Sequence, residues 1–305
     1  MSITEVPRPI GDFILPDGSV INFDGFEEFE TILEVRGSED ALGTDASDFL
    51  LSVDDLPKTI FGLGGDDTIL VTTEGSDLLY GNEGNDDLNA GIGNDSLFGG
   101  EGEDRLDGNI GDDILFGNLD NDGLFGGEGS DTLYGGRGDD NLVGDGTSIF
   151  GNDFLFGDLG SDNLSGNQGN DTLIGGEGYD LLDTGSDQDL IVLNSNTNGF
   201  DKILFFQDGV DIIGLSDGLT FGDLSITLAG NQATQLATEF VAGGGSSQIQ
   251  GTVDGQVDIT VVPTDILISV ASTGELLAVV GSLASGTLTP NLDISQITSD
   301  DFITL

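Results

Sequence analysis

An all-β repeat solenoid is the fold class this sequence predicts, and three observations predict it. A nine-residue frame recurs in phase through the middle of the chain: "GNEGNDDLN" at 81–89 is followed without a gap by "AGIGNDSLF", "GGEGEDRLD", "GNIGDDILF", "GNLDNDGLF", "GGEGSDTLY" and "GGRGDDNLV". The eighth residue of the frame is always Leu or Ile between variable neighbours, the pattern of one inward residue in a three-residue strand whose flanks point outward. Outside the repeat, residues 193–305 are rich in Val, Ile, Thr and Leu with Gly turns, which reads as further short strands. Such a unit cannot bury its one apolar residue alone and must stack on its neighbours, so the repeat outranks local propensities.

The elements follow in chain order. Residues 1–60 form an N-terminal cap region: "DFIL" and "VINF" flank the turn "PDGS" as a hairpin, "FEEFETILEV" is open between helix and strand, and 43–61 resemble degenerate repeats leading into the array. Residues 61–192 hold fourteen units between Gly62 and Val192. "GLGGDDTIL" and, after an extra Val71, "TTEGSDLLY" come first. A four-residue insertion, Gly144 to Thr147, then precedes "SIFGNDFLF", "GDLGSDNLS", "GNQGNDTLI", "GGEGYDLLD" and "TGSDQDLIV". Residues 193–305 form a β-rich C-terminal cap and secretion-signal region. Within the units the sixth residue is Asp in all fourteen, and the fourth is Gly except at Asp120 and Asp187. Glycines allow a turn with positive φ or with carbonyls brought close to something, and a fixed Asp beside those carbonyls makes an oxygen-rich site for a hard cation.

The unit resembles GGxGxDxUx, the nonapeptide of the RTX, or hemolysin-type, calcium-binding proteins, over residues 62–192. The resemblance implies a parallel β-roll in which two nonapeptides make one turn and calcium sits between the loops of units i and i+2, held by the sixth-position Asp and main-chain carbonyls. The implied ligands are Asp67, Asp77, Asp86, Asp95, Asp104, Asp113, Asp122, Asp131, Asp140, Asp153, Asp162, Asp171, Asp180 and Asp189. Thr72, Ala90, Ser148 and Thr184 replace the first Gly, so weaker binding is expected in those loops. The segment "GFDKILFFQDGVDIIGLSDGLTFGDLSI" is similar to the stretch after the roll in many members, with Phe205 where that pattern has Asp. "TDILISVASTGELLAVVGSL" resembles the C-terminal part of cyanobacterial members, and "DFITL" resembles the terminal signal of type I secretion substrates.

Charge supports the cation independently. Residues 61–192 contain 30 Asp and Glu against Arg105 and Arg137, a net charge of −28. Stacking that charge in one narrow solenoid is unfavourable without counter-ions. About twelve calcium ions bridging fourteen loops would supply about +24. The whole chain, 305 residues at −51, excludes nucleic-acid recognition, which needs a basic surface, and anionic membrane surfaces. No Cys is present for disulfide stapling, and no apolar run reaches the length of a membrane span or of an N-terminal signal core.

Position nine of even-numbered units reads Tyr80, Phe98, Phe116, Tyr134, Phe156, Ile174 and Val192, and position seven adds Leu78, Ile114, Phe154 and Leu190, so one sheet is apolar outside as well as inside. A stripe of roughly 30 Å is larger than a soluble monomer leaves bare. The expected cover is the chain's own N- or C-terminal region, the alternatives being a partner, self-association or a ligand.

Absence of His excludes a histidine-ligated zinc protease and any His-based triad. "NLDNDGLFGGEG" fails as an EF-hand loop because Asn118 and Gly129 stand at its first and twelfth positions. The functional expectation is a non-catalytic, secreted calcium-binding module, extracellular or at the cell surface, that folds on extracellular calcium after passage through type I secretion machinery. Alternatives are a polysaccharide-binding or polysaccharide-modifying accessory module and an adhesin or surface-layer component.

Overall fold

The computed structural model describes residues 4–5, 13–14, 20–21, 31–35, 40–146, 150–195, 198–207, 210–228, 266–272, 276–281 and 299–305. The nine-residue period becomes two facing parallel sheets because each unit pairs with the unit two further on. In one sheet Leu78–Glu83, Ser96–Glu101, Ile114–Leu119 and Thr132–Arg137 lie side by side, with Leu79, Leu97, Leu115 and Leu133 in register. In the other, Asp87–Asn89, Arg105–Ile110 and Gly123–Glu128 align Leu88, Leu106 and Leu124. The protein is an all-β parallel roll. All fourteen eighth-position residues, from Ile69 to Ile191, are buried in the one-residue-deep column between the sheets.

Within the repeat array most strands are six residues long, not three. Ser96–Glu101, for example, runs from position seven of one unit to position three of the next. The strand continues because position two takes positive φ and the pairing resumes beyond it: Asn82, Asn109 and Asn118 have φ of 82°, 70° and 81°. Asn tolerates the left-handed region better than other side-chain-bearing residues.

Sheet pairing passes both ends of the array. Upstream, Thr31–Val35 pairs with Asp48–Ser52, which pairs with Thr68–Val71, all parallel. The open segment "FEEFETILEV" is therefore strand over Thr31–Val35. Thr4–Glu5 adds an antiparallel edge, and Phe13–Ile14 and Val20–Ile21 form the expected hairpin. Downstream, Asp201–Leu204 extends one sheet and Ile212–Leu215 the other. Leu276–Gly281 follows Asp201–Leu204 in parallel, with Ile266–Val270 and Leu224–Leu228 antiparallel beyond it, and Phe302–Thr304 pairs in parallel with Ile212–Leu215 to end the other sheet.

The insertion differs from the sequence reading. A side chain built on Gly144 would strike Asp153 Oδ2, the contact that first-position glycines make with their own unit's Asp, and Asp145 pairs with second-position Gly127. Gly144 is therefore the first residue of its unit, and the extra residues follow Asp145. Ser148, assigned that place from spacing, lies outside the described residues.

The two outer faces divide as the alternation predicts. Phe61, Tyr80, Phe98, Phe116, Tyr134 and Phe156 stack in one ladder, with ring centroids 4.7–4.9 Å apart and planes within 12°. These rings are half-buried by one another, while Ile114 and Phe154 of the same stripe, and Leu159 beside them, are exposed, so none of the described residues covers those positions. The other face is polar: Arg105 reaches Asp107 at 3.0 Å and Asp87 at 3.7 Å and lies over the Phe125 ring.

Candidate metal centre

The loops that join the sheets run along both edges of the roll and carry the sixth-position aspartates. All fourteen are buried, at 0–4% exposure. Burial of so many carboxylates demands partners, and one oxygen of each has them. The N–H of Asp67 donates to Oδ1 of Asp86, Asp86 to Asp104, Asp104 to Asp122, Asp122 to Asp140, Asp140 to Asp162 and Asp162 to Asp180. Along the other edge Asp77, Asp95, Asp113, Asp131, Asp153, Asp171 and Asp189 form the same chain; in both, the N···O distances are 2.7–2.9 Å.

The second oxygen is different. Oδ2 of thirteen of these residues, all but Asp77, is buried with no hydrogen-bond partner. Eleven of the thirteen face a tight cradle at a first-position glycine; Asp95 and Asp189 have Ala90 and Thr184 there instead. A Cβ placed on Gly99 would collide with Asp104 Oδ2 and come within 2.8 Å of the carbonyl oxygen of Gly117 on the next turn, and Gly81, Gly108, Gly117 and Gly126 repeat the arrangement. The first glycine thus keeps side-chain atoms out of a space bordered by a carboxylate oxygen of one unit and a carbonyl of the unit two further on. The fourth glycine has a backbone reason: Gly102 has φ of 122°, and a side chain there would meet the Gly84 carbonyl.

Electrostatics shows the same deficit of positive charge. Burial is the main cause that pushes the carboxyls up, to about 6 at Asp86, Asp140, Asp171 and Asp180, about 7 at Asp67, Asp95, Asp104 and Asp131, about 8 at Asp113, Asp122, Asp153 and Asp189, and about 9 at Asp162. The backbone N–H on Oδ1 opposes the shift, and neighbouring aspartates add to it at most of these positions. Asp77 is also raised, by burial, with the charge of Lys58 opposing. Among the described residues no three acidic side chains converge on one point. A cation here would take one carboxylate per loop and complete its shell with main-chain oxygens, a donor set suited to calcium.

Several members of the constellation lie outside the fourteen. Asp48 donates its N–H to Asp67 Oδ1 at 2.7 Å and has a buried, unpartnered Oδ1. Asp201 accepts the Asp180 N–H and also has an unpartnered Oδ1, and Asp211 accepts the Asp189 N–H at 3.2 Å. The core "GFDKIL" around Asp201 carries the repeat signal, but the step from Asp180 is 21 residues and hides it. Asp145 presents a buried, unpartnered Oδ2 from position two. Position five also works structurally: Asn85 accepts the Glu103 N–H and Asp112 the Ser130 N–H, binding successive turns in the opposite sense to the Asp chains.

Comparison with known proteins bears on the same residues. The family model of the RTX calcium-binding nonapeptide repeat matches 61–97, 89–124, 124–147, 150–182 and 165–196. Residues 61–147 and 150–196 are thus an array of RTX calcium-binding nonapeptide repeats. The RTX segment coincides with the two aspartate columns, and the Leu and Ile of its strands are the buried column between the sheets. No curated protein matches the sequence significantly. Among solved structures it is similar to the solution structure of the AlgE6R3 subunit from the Azotobacter vinelandii mannuronan C5-epimerase. The identity is 21%, covering 61% of this chain and 78% of that one, with a TM-score of 0.21.

Proposed function

We propose that the fourteen sixth-position aspartates are calcium ligands, each completing its site with loop carbonyls of its own and the adjacent turn on the same edge, and that the chain is a non-catalytic module that folds on extracellular calcium. The observation that carries this reading is the row of buried, unpartnered Oδ2 atoms facing first-glycine cradles. An unpartnered buried carboxylate oxygen is strongly unfavourable, and a divalent ion relieves it on two turns at once. Bound ions supply the charge balance; the aspartates supply position, through the N–H held on Oδ1 and the rigid turn around it.

In this reading residues 1–60 and 193–305 act as caps on a central roll of 61–192, and the protein works outside the cell, exported by a type I route and folded where calcium is abundant. No described helix is long and apolar enough to cross a membrane. A second reading, polysaccharide binding, has a definite place to be sought: a groove along one loop edge where Arg137 and Tyr179 lie with Leu119, Leu159 and Glu177. Glycan binding measured with calcium present, comparing the native chain with Arg137→Ala, tests it.

The main reading is tested by titrating the chelated full chain with calcium while recording circular dichroism. A cooperative gain of β signal is expected, reversed by chelator. A β signal that is the same in excess chelator sinks the assignment.

A further inference from the structure

One loop departs from the aspartate pattern in a chemically specific way. Residues 53–61, "VDDLPKTIF", occupy one frame of the roll: Thr59–Gly64 pairs with Leu78–Glu83, Thr59 opposite Leu78, which sets Lys58 opposite Asp77 at position six. Lys58 performs every backbone task of that position. Its N–H donates to Asp77 Oδ1 at 2.6 Å, and its carbonyl accepts the Leu78 N–H at 2.8 Å. The side chain is fully buried, and its Nζ donates to the carbonyl oxygens of Asp54 and Leu56 and to the Asp54 carboxylate. Asp54 and Leu56 stand at positions two and four of the same loop. The ammonium is therefore held by two main-chain carbonyls and one carboxylate, an oxygen-only set that uses all three of its donors.

We infer that the Lys58 ammonium is a built-in replacement for calcium in the 53–58 loop, so that this turn closes without metal and offers the calcium-dependent units a formed edge on which to stack. The inference rests on the calcium reading of the other loops. One further observation supports it: at Asp77, directly opposite Lys58, Oδ2 is not among the buried unpartnered oxygens that mark the other thirteen sixth-position aspartates. In a stacked array the first ordered turn is the costly one, and later turns add to it. A cation that is part of the chain removes the metal requirement from that first step at one end of the roll.

The test uses the full chain with calcium as the only probe. Lys58→Asp restores the repeat pattern and is expected to hold one calcium more than the native chain by native mass spectrometry. Lys58→Met keeps the stem without the charge; it is expected to keep the native count and to need several-fold more calcium at the folding midpoint followed by circular dichroism. Lys58→Asp folding with the native count, or Lys58→Met folding at the native midpoint, overturns the inference. Should Lys58→Asp not fold in saturating calcium, the Lys58→Met midpoint decides alone. Asp104→Asn isolates the underlying reading: if it loses no ion, the calcium assignment itself fails, whereas a lost ion there with no gain in Lys58→Asp defeats only the ammonium.

Discussion

The two oxygens of Asp104 have separate tasks, and a single substitution can separate them. Oδ1 holds the Asp86 N–H at 2.8 Å, which an Asn would still do, while Oδ2 is buried without a partner beside the Gly117 carbonyl. Asp104→Asn therefore keeps the fold contact and removes the charge. It is expected to lose one calcium, or to weaken that site at least about tenfold, equivalent to about 1.4 kcal/mol. Asp87→Asn is the control. Asp87 is exposed at position seven and makes only a 3.7 Å pair with Arg105, worth less than about 1 kcal/mol, so its ion count is expected to stay native. Asp112→Asn is a second control, since the acceptor for the Ser130 N–H survives. Calorimetric titration of the three proteins gives the count, and equal losses in all of them would reduce the aspartates to bulk charge.

At the scale of the strand, the aromatic ladder is a structural element in its own right. Phe116 stacks on Phe98 at 4.9 Å and on Tyr134 at 4.8 Å. Each such pair contributes about 0.5–1.5 kcal/mol beyond area burial, so Phe116→Ala is expected to cost about 2–3 kcal/mol in urea unfolding at saturating calcium. Ile114→Ala, on an exposed neighbour in the same strand, is expected to cost under about 1 kcal/mol. Comparable costs would show that the ladder is surface decoration. Five of the six ladder rings, Tyr80 to Phe156, were legible in the sequence, because alternate ninth positions, eighteen residues apart except across the insertion, fall at one sheet spacing; Phe61, upstream of the fourteen units, was not. Strand length was not legible: it depends on positive φ at position two, where Asn82, Gly100 and Asp158 serve equally and no single residue marks the site. Nor does spacing reveal where an insertion enters a loop, and Gly144 was recognisable only from its contact with Asp153. Lys58 was hidden for a related reason, since the pattern is recognised by its Asp and Lys58 stands where that Asp should be.

For the whole molecule the aspartate columns predict how the metal-free roll responds to acid. The carboxyls have an ordinary value of 3.8 and are raised to about 6 to 9 in the folded roll, chiefly by burial, so between those limits the folded chain holds more protons than the unfolded one. Stability from these groups is thus fully present below about pH 4 and is lost as pH rises through the folded values. Neutralising part of the chain's −51 charge acts in the same direction. Acidifying the chelated protein from pH 8 to pH 4.5 is accordingly expected to restore part of the β signal, in place of the loss that acid causes in proteins whose carboxylates are salt-bridged. With calcium present the order reverses, because each ion must displace protons from the oxygens it binds; the midpoint calcium concentration should rise as pH falls from 8 to 6. Circular dichroism across a grid of pH and calcium measures both trends at once. A chelated chain that stays unstructured at every pH, together with a calcium midpoint indifferent to pH, would show that the buried aspartates are not what binds the turns together.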